Sequence, residues 1–340
     1  MEKKDIVAII DNFSGHKAET VQKEAEELLI VAKRARLIFV CSNQAEVLAL
    51  APNNEVCVVD DLSTGRVENL PVAGGIEFIK GSITDLQLMN EVLADADFVF
   101  HQAALPSVQR SIEDPAHTNE VNIRGTLNVL MAARDAGVKK VIYASSSSVY
   151  GDTPELPKRE GMTPNPLSPY AVTKLVGEYY CKVFNDVYGL NTISLRYFNV
   201  YGPRQDPHSE YAAVIPRFVS RILKGEPPII YGDGQQTRDF TFVKDVVNAN
   251  ILAMNSDATG VYNIASGRRI SIQELATLIT RLTGRDRDVE PVFDKPRKGD
   301  VRHSLADISR ARADMGYKPE YSLERGLEET IRWFKLEMGR

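Results

Sequence analysis

From Glu55 onward the chain alternates short apolar runs with longer stretches in which apolar positions recur every three or four residues. Glu55–Asp60 (EVCVVD) reads as a buried strand, and Ile76–Lys80, Phe98–His101, Lys140–Ala144, which is rich in β-branched and aromatic residues, and Asn191–Arg196 read as further strands. Leu86–Ala94, Thr126–Ala136 and Tyr170–Tyr188 have helical spacing. Strands separated by helices are the pattern of a parallel sheet covered on both faces. After Asn199 the texture changes. Tyr201–Tyr211 is a loop rich in Pro, Gly, Asp and His, Ala212–Lys224 reads as a helix, and Gly225–Arg238 is irregular around Pro227-Pro228. Phe240–Ala253 returns to strand-then-helix character, and a strand lies near Val261–Ile264. Ile272–Thr283 and Ser322–Leu336 read as terminal helices, with the charged, Pro-containing stretch Asp286–Arg302 between them.

Ahead of Glu55 the pattern predicts a strand Ile6–Ile10, a loop Asp11–His16, an amphipathic helix Ala18–Arg34, a strand Leu37–Val40 and a short helix Ala45–Leu50. The simplest organisation is an α/β nucleotide-binding unit formed by 1–196 and 239–265, with residues 1–53 atypical, and a smaller α/β lobe formed by 197–238 and 266–340. The cleft between them would hold the substrate.

The chain has 340 residues, enough for a large core. A net charge of -5 gives no basic excess to suggest nucleic acid as the main partner. Cys41, Cys57 and Cys181 are odd in number and widely spaced, which reads as free thiols in a reducing compartment rather than a metal site. No apolar run is long enough to span a membrane. The first residues lack a signal-peptide pattern, so a cytoplasmic protein is expected.

The best chemical signal is Ser145-Ser-Ser-Ser-Val-Tyr-Gly151, followed by Ser168-Pro-Tyr170-Ala-Val-Thr-Lys174. Tyr170 and Lys174 are four apart on a predicted helix and share a face. An ammonium beside a phenol favours the phenolate. The start of the helix at Pro169 adds the dipole in the same sense. A tyrosine so biased becomes a usable base nearer neutral pH. A serine at the end of the preceding strand can hydrogen-bond the same substrate hydroxyl.

With these residues in place, the sequence resembles the extended short-chain dehydrogenase/reductase family, and within it the UDP-sugar 4-epimerases. NPLSPYAVTK (165–174), LRYFNVYGPRQDP (195–207), YAAVIPRF (211–218), YGDGQQTRDF (231–240) and KGDVRHS (298–304) carry the likeness, in order, from about Asn54 to the C-terminus. It is closest to the branch acting on UDP-N-acetylglucosamine and UDP-N-acetylgalactosamine. The resemblance implies a Rossmann-like doubly wound parallel sheet, NAD as cofactor, a UDP-sugar as substrate and a homodimer built on the helices Asn122–Ala136 and Tyr170–Tyr188.

It further implies that Tyr170 takes the proton of the sugar 4-hydroxyl, that Lys174 tunes it and meets the cofactor ribose, and that Ser146, or alternatively Ser147, is the hydroxyl partner. Dehydratases of the superfamily carry acidic residues just after the catalytic Ser/Thr. Ser147 and Ser148 stand there in this chain, which favours epimerisation. Asn199, Arg238 and Arg297 would meet the diphosphate, Ala213-Val214 the uracil and Asp300 the uridine ribose, with Ser107 and Ser146 also on the substrate side. The residue that limits the C2 substituent falls on Ser304, and a serine leaves room for an N-acetyl group.

On the cofactor side the likeness points to Asp60 and Asp61 at the adenosine ribose, where a carboxylate disfavours a 2′-phosphate. It also points to Ser82, Ile83, the run His101-Gln102-Ala103-Ala104, Asn122 and Tyr197. The family usually has Asp where Ser82 stands.

The first 53 residues depart from the family. The expected glycine-rich turn, which lets a pyrophosphate approach the backbone at a helix N-terminus, is absent. Gly15 is the sole glycine before Gly65. If Leu37–Val40 is the family's first strand, the connection to Asp60 is about five residues short. If Ile6–Ile10 is that strand, it is about twenty too long. Two readings follow. Either another loop, Asn12-Phe-Ser-Gly15 or Ser42-Asn43, meets the pyrophosphate, or the chain is a UDP-sugar-binding protein that does not hold NAD. A third reading keeps the fold and makes the reaction an irreversible oxidoreduction.

Overall fold

A computed structural model describes residues 6–7, 36–40, 54–63, 65, 76–205, 213–285, 289–296 and 301–339. Its main sheet has eight strands in the order Gly260–Ile264, Thr192–Tyr197, Lys140–Ser146, Phe98–His101, Arg36–Val40, Ile6–Val7, Glu55–Asp60 and Ile76–Lys80. The pairings of defined register are parallel. Their burial explains the apolar runs. Glu55–Asp60 is buried from Val56 onward, and Lys140–Ser146 is buried up to Ser145. A parallel strand covered by helices on both faces has no solvent side to alternate toward.

The strand order resolves the two registers left open by the N-terminal sequence. Leu37–Val40 pairs residue for residue with Phe98–His101, the place of the first strand in a doubly wound sheet. Ile6–Val7 is inserted between Arg36-Leu37 on one side and Glu55-Val56 on the other. The expected helices Ala18–Arg34 and Ala45–Leu50, and both candidate loops Asn12–Gly15 and Ser42-Asn43, lie outside the described residues. From Arg36–Val40 the chain builds outward through Glu55–Asp60 to Ile76–Lys80. It then resumes at Phe98–His101 and builds the other way. Ligands of open α/β sheets bind at such a reversal, beyond the carboxyl ends of the strands. Asp60, His101, Ser146 and Tyr197 are each the last residue of a strand of this sheet.

The long helix Pro169–Tyr188 is specified locally at both ends. Ser168 caps it by accepting from the Ala171 N–H, Pro169 takes the first turn where its missing N–H costs nothing, and Gly189 closes it in the left-handed conformation. Helices Val108–Glu113, Pro115–Asn119 and Ser309–Met315 and the strand Val292–Asp294 were not read from the sequence. Each is too short to develop a period. Between Pro115–Asn119 and Thr126–Ala136 the segment Glu120–Gly125 is a π-helical turn, a distortion frequent at functional sites.

The chain divides into two compact units. One comprises the segments up to Ser146, Ser168–Arg196 and Val247–Tyr262. The other comprises Ser147–Leu167, Tyr197–Val246 and Asn263–Arg340. The second has its own core, in which Val214–Leu223, Ile272–Thr283 and Leu323–Met338 bury Phe218, Val219, Leu275, Ile279, Leu327, Ile331 and Phe334. A capping box of Ser271 and Glu274 starts the middle helix.

Candidate active site

In the first unit the helix Pro169–Tyr188 packs along the strand Lys140–Ser146. The Tyr170 phenol is hydrogen-bonded with the Ser146 hydroxyl. Lys174 Nζ donates to the Ala144 carbonyl at 2.7 Å and stands 6.0 Å from the centroid of the Tyr170 ring and 5.1 Å from that of Tyr143. The sequence pair Tyr170/Lys174 and the strand-end serine are thus brought together. Ser147, the alternative serine, begins a short 3-10 helix, Ser147–Tyr150, in the second unit.

One electrostatic expectation is corrected. Burial pushes the Tyr170 phenol above its ordinary value, and the Ser146 hydrogen bond pulls the other way. Desolvation penalises the phenolate in the close-packed polypeptide, so the shift runs opposite to the bias expected from Lys174. Burial, followed by the Lys174 charge, lowers His101 to about 3, so this imidazole is neutral. Its Nε2 is hydrogen-bonded with Thr126 Oγ1 at 2.8 Å.

The expected cofactor positions line the carboxyl edge of the same sheet. Asp60 is buried, and its Oδ1 accepts from the Leu62 N–H at 2.5 Å. A Cβ at residue 65 would stand 2.8 Å from Asp60 Oδ2, so Gly65 keeps that carboxylate clear. Asp61 Oδ1 accepts from the Ser63 N–H. Ser82 is engaged with Thr84, whose N–H and hydroxyl both meet Ser82 Oγ. The Ile83 carbonyl accepts from Asn128. Gln102 donates to Asn250, Ala103 is buried and Ala104 half-buried. Asn122, in the π-helical turn, ties this loop down. Its Oδ1 accepts from the Leu105 N–H at 2.8 Å, and its Nδ2 donates to the Leu105 carbonyl and to Thr173 Oγ1. Thr173 is the neighbour of Lys174, so one amide fixes the loop to the helix that carries Tyr170. Ser107 caps the helix Val108–Glu113, and Tyr197 is half-buried. These groups fit an adenosine ribose at Asp60 and Asp61. They also give a polar helix face, Tyr170 with Lys174, for the reacting end of a dinucleotide.

In the second unit a cavity of about 220 Å³ is lined by Asn199, Ala213, Val214 and Arg238 together with Tyr231, Gln236 and other residues. Four of the expected substrate residues therefore meet. Asn199 adopts a left-handed φ of 31° and donates from Nδ2 to the Asp239 carbonyl. Arg238 Nη1 donates to the Thr237 carbonyl at 2.8 Å. Ser304 is buried, and its N–H donates to the same Thr237 carbonyl. Asp239 braces the segment, accepting from Ser266 and from the Gly267 and Ala306 N–H groups, while burial raises its carboxyl to about 6. Arg297 and Asp300 lie outside the described residues. Sequence reading missed Tyr231 and Gln236, although both stand in the YGDGQQTRDF run that it singled out. It also missed the buried pair Glu178–Arg196, although Glu178 follows Lys174 by four residues and Arg196 stands in the LRYFNVYGPRQDP run.

The model of the NAD dependent epimerase/dehydratase family matches residues 39–265, beginning within the strand Arg36–Val40. A UDP-glucose 4-epimerase of Mycolicibacterium smegmatis is 42% identical over 293 residues, 84% of this chain and 92% of that one. Among solved structures, the UDP-N-acetylglucosamine 4-epimerase of Methanobrevibacter ruminantium, in complex with UDP-N-acetylmuramic acid, superposes with a TM-score of 0.85. It is 39% identical and covers 99% of this chain and 100% of its own. The UDP-glucose 4-epimerase of Thermus thermophilus in complex with NAD gives 0.79 at 33% identity, covering 97% and 99%. Among the described residues no helix is long and apolar enough to cross a membrane, and no group of potential metal ligands is found.

Proposed function

Because the chain belongs to the NAD-dependent epimerase/dehydratase family, we propose that it is a UDP-sugar 4-epimerase that uses NAD and accepts both plain and N-acetylated hexoses. The observation that carries this reading is the cluster of Tyr170, Ser146 and Lys174 at the carboxyl edge of the sheet. When bound, NAD supplies reversible acceptance of hydride from C4 of the sugar, which passes through a 4-keto form and can be returned on the opposite face. Tyr170 takes the 4-hydroxyl proton and gives it back. Ser146 shares that hydrogen bond and steers the hydroxyl toward the phenol. Lys174, held on the Ala144 carbonyl, supplies the nearby positive charge that favours phenolate once the site is filled.

Asp60 and Asp61 take the adenosine ribose hydroxyls. Asn199, Arg238 and Arg297 take the diphosphate, Ala213 and Val214 the uracil, and Asp300 the uridine ribose. Epimerisation is favoured over dehydration because Ser147 and Ser148 carry no carboxylate to eliminate water. Ser304, a small side chain, leaves space for a C2 acetamido group, and the relative solved with UDP-N-acetylmuramic acid is a precedent for a bulky N-acetylated ligand.

Two further points belong to this proposal. A homodimer is supported by Val172, Tyr179, Val183 and Val187, all exposed, which fall on one stripe of the helix Pro169–Tyr188. A cytoplasmic setting is supported by the buried free thiols Cys57 and Cys181.

The decisive experiment incubates the protein with UDP-N-acetylglucosamine, with and without added NAD, and separates the products. The galacto epimer is expected. Its formation without added NAD would show that the chain retains the cofactor despite lacking a glycine-rich turn. Binding of UDP-sugar with no interconversion under either condition would favour the non-catalytic reading.

A further inference from the structure

Glu178 stands four residues after Lys174 and eight after Tyr170 on the helix Pro169–Tyr188, so the three share a face, one turn apart. That face meets the end of the strand Lys140–Ser146 residue by residue. Tyr170 is hydrogen-bonded with Ser146, and Lys174 donates to the Ala144 carbonyl. Ser145, between those two, donates from Oγ to Glu178 Oε1 at 2.5 Å. Glu178 also accepts a two-pronged contact from Arg196, Nε to Oε1 at 2.8 Å and Nη2 to Oε2 at 2.7 Å. Arg196 belongs to the neighbouring strand Thr192–Tyr197. The two side chains are only 4% and 3% exposed. A buried ion pair is a poor way to gain stability, because the desolvation of both charges offsets their attraction. A pair of apolar side chains would hold helix to sheet as well, but would leave Ser145 without an acceptor.

We infer that Glu178 and Arg196 are positioning residues for the reaction proposed above, on which this inference rests. Glu178 fixes Ser145, and through the strand backbone it sets the Ala144 carbonyl and the Ser146 hydroxyl at the spacing that Lys174 and Tyr170 need. Arg196 orients Glu178 and balances its charge beneath the site.

The charge balance gives a readout that a merely structural role would not move. The titratable groups facing this point are Lys174 and Cys181 on the helix, Tyr143 on one strand, His101 on another and Arg196 on a third. Burial pushes the Cys181 thiol up to about 12, raises Tyr143 and lowers His101 to about 3, so all three are neutral near pH ~7. The charges that remain are Lys174 and the Glu178–Arg196 pair. Replacing Glu178 by Gln leaves the Arg196 cation, which cannot shed its proton. Tyr170 lies two turns away, about 12 Å along the helix, and its phenolate is then favoured by on the order of half a pH unit.

The test uses the full chain with NAD present. It measures kcat and KM with UDP-N-acetylglucosamine across pH for wild type, Glu178→Gln, Ser145→Ala and the double variant Glu178→Gln/Arg196→Met. Glu178→Gln is expected to lower kcat by about tenfold or more with KM within about twofold, and to move the acid limb of kcat down by about half a unit. Ser145→Ala, a milder change that keeps the charges, is expected to lower kcat without moving the limb. The double variant is expected to return the limb to its wild-type position. Reduced thermal stability with kcat and the limb unchanged, or an unaffected kcat in Ser145→Ala, would overturn the inference. If wild type turns over no UDP-sugar, the proposed function fails instead. The ultraviolet titration of the Tyr170 phenol, taken as the difference from Tyr170→Phe, then still reads the shift in Glu178→Gln, and its absence counts against the positioning pair.

Discussion

Lys174 donates its ammonium to the carbonyl oxygen of Ala144, 2.7 Å away, and stands 6.0 Å from the centroid of the Tyr170 ring. A carbonyl acceptor anchors the ammonium through a neutral group, and a cation at that place favours a phenolate at Tyr170. Lys174→Met is therefore expected to lower kcat by about 10²- to 10⁴-fold, the range of a lost acid–base contribution. Thermal unfolding should be affected much less. A loss of less than about tenfold in product formation would remove Lys174 from the mechanism.

Ser304 is buried and its backbone is pinned to Thr237, so a larger side chain there cannot move away by shifting the chain. Ser304→Tyr is expected to abolish turnover of UDP-N-acetylglucosamine while leaving UDP-glucose turnover within about fivefold. Comparing the two substrates with the same preparation checks it. Equal effects on both would deny a role in size selection.

Gly177 lies on the helix Pro169–Tyr188 where a Cβ would stand 2.2 Å from the Tyr143 hydroxyl. Gly177→Ala is expected to destabilise the fold by about 1–3 kcal/mol through overpacking. Tyr143→Phe, which removes the clashing oxygen, should recover part of that loss in the double variant. Thermal or denaturant unfolding of the four proteins closes the cycle, and additive effects would contradict the contact.

Asp239 and His101 carry opposite pH linkages. Asp239, raised to about 6 by burial, contributes stability that is fully present below the ordinary carboxylate range and lost as pH rises through about 6. His101, lowered to about 3, contributes stability present above the ordinary imidazole value and lost as pH falls toward 3. As pH falls from about 7 to about 5, wild type should gain in Tm relative to Asp239→Asn and lose relative to His101→Gln. Parallel melting curves across pH for either variant would refute that assignment.

The exposed stripe on the helix Pro169–Tyr188 predicts a dimer in solution. Sedimentation of wild type should give twice the chain mass. Val183→Glu together with Val187→Glu, both at exposed positions, should give monomers that keep their thermal stability. Monomeric wild type would leave the stripe unassigned.

What the sequence alone determined are features whose cause is local. The apolar runs became the strands, with Glu55–Asp60, Ile76–Lys80 and Phe98–His101 matching to the residue. Ser168, Pro169 and Gly189 mark the ends of the helix that aligns Tyr170 and Lys174, because caps and periodicity act within a turn. Tertiary structure decided the rest. Arg36–Val40 became the central strand because Phe98–His101 offers it a full parallel ladder, while Ile6–Val7 finds two residues on each side. Ser146, not the adjacent Ser147, meets the Tyr170 phenol, since the strand ends at Ser146 and the chain turns into a 3-10 helix at Ser147. The direction of Tyr170's own shift, and the joining of Ser145, Glu178 and Arg196, depend on burial and on contacts between residues far apart in the chain. Neither desolvation nor long-range pairing is written in the spacing of a sequence. Both arise only when helix and sheet close on each other and exclude water.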